Sequence, residues 1–277
     1  MKNTRIALVQ MQSQLGMVEK NTDKILKYIS RAAVDGVDII CFPEMSLQGY
    51  SRDRAKPTAV NIPGEITVLL GEAARRAGLT ALVGLAEESG EEKPCITQLV
   101  VFPDGSWQKY RKTHLGKSEL PNFTAGNHLP VFKAEKAVFG VEICWDLHFP
   151  EVTTVLSLKG AEIVFAPHAS PVIVGDRRGI WMKYMAARAY DNSVFVAACN
   201  LVGSDGAGSQ FCGGALVIDP KGNPLAESFD GAEGMLVADL DAGLINTVRM
   251  KRSKSMRDSF FLDSRRPDLY GPLVVKS

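Results

Sequence analysis

Residues 137–167 read AVFGVEICWDLHFPEVTTVLSLKGAEIVFAP, and this stretch decides the fold class. Ala137 to Cys144 and Ile163 to Pro167 are apolar runs of strand length, rich in Val, Ile and Phe, with a short helix predicted between them near Glu151 to Leu158. Upstream, Arg5 to Gln12 reads as a strand. Asn21 to Ala33 carries Ile25, Leu26, Ile29, Ala32 and Ala33 at helical spacing, with Asn21 as N-cap. Val37 to Phe42 is a buried strand, Ile66 to Ala77 a helix closed by Gly78, and Ala81 to Ala86 the next strand. Gln98 to Phe102 and Trp107 to Lys112 flank Pro103-Asp104-Gly105 as a hairpin. Downstream, a long helix over Gly179 to Asp191 leads into the strand Val194 to Cys199, and Pro220-Lys221-Gly222-Asn223 marks a hairpin between Ala215 to Asp219 and Met235 to Asp239.

Strands separated partly by helices and partly by hairpins imply an α/β protein with mixed sheets and helices on the outside. No linker, repeat or low-complexity segment interrupts the chain, so residues 1–277 read as one domain with an extended C-terminal tail over 251–277.

The 277 residues are 45% hydrophobic and 23% charged, the composition of an ordinary globular protein able to bury a large core without staples. Thirty-two Lys plus Arg against 31 Asp plus Glu give a net charge of +1, which offers no support for binding nucleic acid or an anionic membrane. The apolar runs are strand-sized, far short of the roughly 20 residues of a membrane span. Met1 to Arg5 leads into an alternating segment containing Gln10 and Gln12, not an apolar signal core, so a cytoplasmic location is expected. Cysteines at 41, 95, 144, 199 and 212 form no CxxC pair and no ligand-like group with the four histidines, so neither zinc nor a disulfide framework is expected.

Reactive side chains in α/β folds sit where strands give way to loops. Glu44 follows Val37 to Phe42 through Pro43, Lys112 ends the strand from Trp107, and Cys144 ends the strand from Ala137. A carboxylate, an amine and a thiol can together form a general base, an oxyanion stabiliser and a nucleophile. Each also has a structural reading: a strand-end Glu or Lys is commonly solvated or paired, and a Cys in an apolar strand is commonly core.

At these residues the sequence resembles the nitrilase superfamily of carbon–nitrogen hydrolases. The matching stretches are Phe42-Pro43-Glu44, Tyr110-Arg111-Lys112-Thr113-His114-Leu115 and Glu142-Ile143-Cys144-Trp145-Asp146-Leu147-His148-Phe149-Pro150-Glu151, with further likeness at Asn3 to Gln12, Ala187 to Asn192, Gly213-Gly214 and Arg265 to Tyr270. The resemblance implies a four-layer α-β-β-α sandwich and a cofactor-free hydrolase. Cys144 would form a thioester, Glu44 would shuttle the proton, and Lys112 with the backbone N–H of Trp145 would hold the oxyanion. Glu119, ahead of Phe123 and Gly126, matches a second carboxylate found in many members, which would orient substrate and Lys112.

Around these residues His148 stands where relatives often carry Arg. His148, His168 and Trp181 are candidate substrate contacts, as are His128, Asp176, Arg177 and Arg178, while His114 is expected to hold the lysine loop. Asp146 is expected to fix the turn after Cys144, and Glu142, two residues before the thiol on the same strand face, to pair with a cation. Cys144-Trp145-Asp146-Leu147 is more similar to amidases and N-carbamoyl amidohydrolases than to nitrilases proper, and Arg266 to Gly271 is similar to the end of carbamoylputrescine-type enzymes. The expected partner is thus a small amide or ureido compound. The alternatives are a nitrilase, a non-catalytic scaffold that would have lost a triad member, and a thiol redox protein that would need a resolving cysteine. Trp181, Met182, Tyr184 and Met185 on the long helix, with apolar Leu269 to Val275 in the tail, have the composition of an interface, so a homodimer or higher homo-oligomer is expected.

Overall fold

Successive residues of the central strands enter different cores. In β1 (Thr4–Gln10) Ile6 and Leu8 point one way and Ala7 and Val9 the other, and all four are fully buried. This period of two, apolar on both faces, is what a sheet covered on both sides requires. The computed structural model describes residues 1–249 and 260–275. In chain order, α1 (Val18–Val34) is followed by β2 (Ile39–Cys41), α2 (Glu65–Ala77), β3 (Thr80–Glu87), β4 (Cys95–Val101) and β5 (Trp107–Arg111). Next come β6 (Phe132–Lys133), β7 (Val138–Val141), α3 (Pro150–Leu158), β8 (Ile163–His168), α4 (Arg177–Asn192) and β9 (Phe195–Asn200). A small ribbon of β10 (Val202–Ser204) and β11 (Gln210–Cys212) precedes β12 (Ala215–Ile218), β13 (Pro224–Ser228), β14 (Gly234–Leu240) and α5 (Ala242–Arg249).

One six-stranded sheet has the order β14-β1-β2-β3-β4-β5 and the other β13-β12-β9-β8-β7-β6. In each, the strands joined through helices pair in parallel and the hairpin-linked strands pair antiparallel. Ile6, Leu8, Phe139, Phe165 and Phe195 fill the space between the sheets. Helices α1 and α2 cover the first sheet through Ile25, Ile29, Leu70 and Ala74, and α3 and α4 cover the second through Val152, Leu156, Trp181 and Met185. The result is the α-β-β-α sandwich.

Several expectations are corrected. Helix α1 begins at Val18, not Asn21. Asn21 lies inside its first turn and bonds Gln14 and Leu47 of the neighbouring loops. The hairpin at 220–223 joins β12 to β13, an exposed edge strand without apolar alternation, whereas residues 235–239 belong to β14 and pair with β1 in the other sheet. Cys144 does not end a strand: β7 stops at Val141, and Cys144 opens a 3-10 turn, so the same-face argument for Glu142 fails. Trp181 and Met185 are wholly enclosed in their own core and unavailable to a partner. The tail expected over 251–277 lies outside the described residues at 251–259 and 276–277. Its described part runs through short 3-10 turns, with Phe261 against Tyr190 of α4 and Leu273 and Val274 exposed.

The loop after β2 passes directly over β3 at Gly84. A Cβ there would fall 2.6 Å from Met45 N and closer still to Pro43 O. Gly84→Ala is therefore expected to destabilise the protein by about 2 kcal/mol, the usual scale of overpacking. An unchanged denaturation midpoint would show that the Pro43–Met45 turn can retreat at no cost.

Candidate active site

Three segments carry Glu44, Lys112 and Cys144 to one place. Glu44 sits in the turn after β2, and that turn is tied to the sheet by side chains. Gln98 Nε2 donates to Phe42 O at 3.0 Å, Ser46 Oγ to Gly84 O, and Gln48 exchanges bonds with Ala86. Met45 beside it holds a left-handed φ of 50°. Lys112 follows β5, where its N–H donates to Ile96 O and its carbonyl accepts from Gly126 N. Its ammonium is buried and donates to Glu44 Oε1 at 2.7 Å and Glu119 Oε1 at 2.8 Å. Glu119 is fixed in turn by Gly116 N and by the Tyr50 hydroxyl, which donates at 2.8 Å. Tyr50 lies in an irregular loop with no periodic signal, so nothing in the sequence marks it.

Cys144 has φ 46°, a left-handed conformation that costs a non-glycine residue about 1–2 kcal/mol and must be held from outside. Asp146 does the holding. One oxygen accepts from Ile143 N and from the Tyr110 hydroxyl at 2.7 Å; the other accepts from the Thr113 hydroxyl and His114 N, with the His114 ring at 3.0 Å. The Cys144 turn on the second sheet is thus bolted to the lysine segment on the first. His114 also stacks on Phe149 at 3.9 Å, which fits a structural part.

The electrostatics divide the work. Burial pushes the Glu44 carboxyl up to about 7; Lys112 opposes that rise and Glu119 adds to it. Burial works against the Lys112 ammonium, but Glu44, Cys144 and Glu119 outweigh it and keep the group well above the ordinary lysine value. Cys144 is lifted to about 12 by burial first and then by Glu44; Lys112 and the Ala169 N–H pull the other way. A thiol, a carboxylate able to take its proton near neutrality and a fixed ammonium therefore share one electrostatic site.

The remaining candidates separate. His148 is partly buried between the Trp145 and Tyr184 rings at 4.7 and 5.2 Å. His168 is fully buried, pushed down to about 3 by desolvation, and lies 4.8 Å from Trp181, which has no exposed surface. His128 is exposed beside Asn127, away from the cluster. Asp176 caps α4 through Gly179 N. Glu142 makes no ion pair among the described residues, and both its oxygens lack hydrogen-bond partners, which corrects the expected pairing; nearby Arg188 donates to Leu147 O instead. No cluster of His, Cys, Asp and Glu among the described residues has the form of a metal site.

Residues 5–250 match the carbon–nitrogen hydrolase family. The chain is 32% identical to a nitrilase of Pyrococcus abyssi, over 96% of this chain and 98% of that protein. It is 29% identical to an (R)-stereoselective amidase of Pseudomonas sp., over 96% and 93%. Among solved structures it is similar to an amidase of Nesterenkonia sp. AN1. A variant in complex with butyramide has a TM-score of 0.83 and 27% identity, covering 97% of this chain and 96% of that one. A second variant, with the acetamide moiety of fluoroacetamide added covalently at the active-site cysteine, has a TM-score of 0.84 and 26% identity, covering 99% and 98%.

Glu142 yields a prediction about stability. Burial, reinforced by Asp146 and opposed by Thr153 and Arg188, raises its carboxyl to about 8. Below the unfolded carboxyl value both states are protonated and the group costs nothing. As pH rises through that value toward 8 the unfolded chain ionises and the folded one does not, so stability falls. Glu142→Gln is expected to raise the melting temperature increasingly between about pH 5 and pH 8, with a plateau above. A gain independent of pH would mean that the carboxyl is solvated.

Proposed function

Because the chain belongs to the carbon–nitrogen hydrolase family, we propose that it cleaves a linear amide or N-carbamoyl compound through a thioester on Cys144. The observation that carries this reading is the buried Lys112 clamped between Glu44 and Glu119, with the Cys144 thiol inside their field. Cys144 attacks the carbonyl carbon as Glu44 takes the thiol proton. The carbonyl oxygen becomes an oxyanion held by the Lys112 ammonium and the N–H of Trp145. The C–N bond then breaks, Glu44 returns the proton to the departing ammonia or amine, and an acyl thioester remains. Water, deprotonated by Glu44, adds to the thioester; collapse releases the acid and the thiol takes back the proton. All proton transfers use one carboxyl, and the cycle calls on no cofactor. Glu119 and Tyr50 keep Lys112 aimed throughout.

A thiol near 12 is not ionised at neutral pH, so the base must act during attack. That makes the ionised fraction of Glu44 limiting. As pH falls through about 7 the carboxylate is protonated, and kcat/KM for ammonia release is expected to drop about tenfold per pH unit below that point. Cys144→Ala is expected to remove turnover, and Glu44→Gln and Lys112→Met to lower it by at least about a hundredfold each. Iodoacetamide should alkylate Cys144 ahead of the other four cysteines and abolish activity in step; full activity after stoichiometric alkylation would overturn the mechanism. The likeness to a nitrilase favours a second reading in which a nitrile is the substrate. Ammonia release measured across amides, ureido compounds and nitriles separates the two.

The exposed apolar Leu269, Leu273 and Val274 of the tail support assembly with further copies of the chain. Light scattering at micromolar concentration should give a mass above 30.1 kDa, the mass of one chain.

A further inference from the structure

Helix α4 opens with two adjacent arginines that meet different fates. Arg178 turns outward and pairs with Glu227 at 2.9 Å. Arg177 turns inward, with its guanidinium 5.8 Å from the centroid of the enclosed Trp181 ring. Its Nε is buried without a hydrogen-bond partner, and among the described residues no carboxylate pairs with it. Asp176, its neighbour, is engaged at Gly179 N in the cap of the helix.

Ring contacts lead from the same helix toward the thiol. Tyr184, two turns along α4, lies in the field of both groups: burial first and then Cys144 raise its phenol, and the charge of Arg177 opposes that rise. The Tyr184 ring packs on His148, and His148 on Trp145, the residue after the nucleophile. Of the other cations nearby, Lys112 lies between two carboxylates, and Arg188, whose Nε is also buried without a partner, is engaged through Nη2 at Leu147 O. His148 and His168 are held below the ordinary histidine value by burial first, with Arg188 and then Arg177 adding to the effect at His148 and Arg177 at His168, so neither supplies positive charge at neutral pH. A partly desolvated guanidinium with no counterion is costly, and its planar fork matches a carboxylate.

We infer that Arg177 is a specificity-determining residue that receives an anionic group at the far end of the substrate, making the substrate class linear amides or N-carbamoyl compounds that also carry a carboxylate. The inference rests on the hydrolase reading above and narrows it. An N-carbamoyl acid fits this residue, whereas the ammonium of an N-carbamoyl amine would face an uncompensated guanidinium.

The test uses three amides of similar length, succinamate, butyramide and 4-aminobutyramide, with the full chain. Ammonia release should show kcat/KM about a hundredfold higher for succinamate than for butyramide, with 4-aminobutyramide the poorest. Arg177→Met should collapse the succinamate-to-butyramide ratio by about the same factor, mainly through KM, and Arg177→Lys should restore part of it. Wild-type preference for butyramide or 4-aminobutyramide, or a ratio unchanged in Arg177→Met, would overturn the proposal. Calorimetric titration of Cys144→Ala with the same compounds separates this outcome from failure of the hydrolase reading. If no amide is hydrolysed but succinamate binds more tightly than butyramide, and Arg177→Met abolishes the difference, the anion site stands and the reaction is wrong. Equal binding of the two sinks the anion site itself.

Discussion

The buried ammonium of Lys112 sets the terms for the rest of the molecule. A lysine with about 1% of its surface exposed stays charged only while Glu44 and Glu119 hold their oxygens within 2.8 Å of it. Desolvation raises the proton affinity of Glu44 toward neutrality; Lys112 opposes that rise, and the second carboxylate, Glu119, adds to it. The Lys112 ammonium is thus the group that keeps Glu44 from rising further. Neither carboxylate can drift without leaving a buried charge unpaired, which explains why the Glu44 turn and the Glu119 loop are each fixed by several hydrogen bonds.

The site also straddles the two sheets. Glu44 and Lys112 follow strands of the first sheet, whereas Cys144 follows β7 of the second. Their relative position therefore depends on the apolar layer between the sheets and on whatever crosses it. Asp146 crosses it: its bonds to Tyr110, Thr113 and His114 span the gap while its bond to Ile143 N holds the Cys144 turn in its left-handed conformation. One enclosed carboxylate sets both the strain at Cys144 and its register against Lys112.

The mixed-sheet α/β class is legible because apolar runs of strand length alternate with helical patterns and hairpin turns, whereas the four-layer sandwich is what the family resemblance implies. What the pattern missed has no apolar contrast: β13 is a polar edge strand, so its hairpin was extended to residues 235–239, which serve the opposite sheet. The positions of Glu44, Lys112 and Cys144 near strand ends marked them as candidates, and only family resemblance joined them. Periodicity says nothing of loops that converge across two sheets. Tyr50 and the orphaned oxygens of Glu142 were invisible for the same reason, since burial of a polar side chain depends on which loop covers it.

Glu44 and Glu142 make an instructive pair. Both are fully enclosed carboxyls near the thiol and both are raised by burial, yet only Glu44 has an ammonium in contact. The unpaired Glu142 is the more strongly raised, so at neutral pH it remains largely protonated. That protonation matters to Cys144, whose proton affinity is already increased by burial first and then by two carboxylates. A third ionised carboxyl behind the Cys144 turn would favour the neutral thiol further. Absence of a contacting ammonium at Glu142 therefore keeps negative charge away from the sulfur. The polarity of the site follows as much from the carboxyl that is left without a cation as from the one that is matched with it.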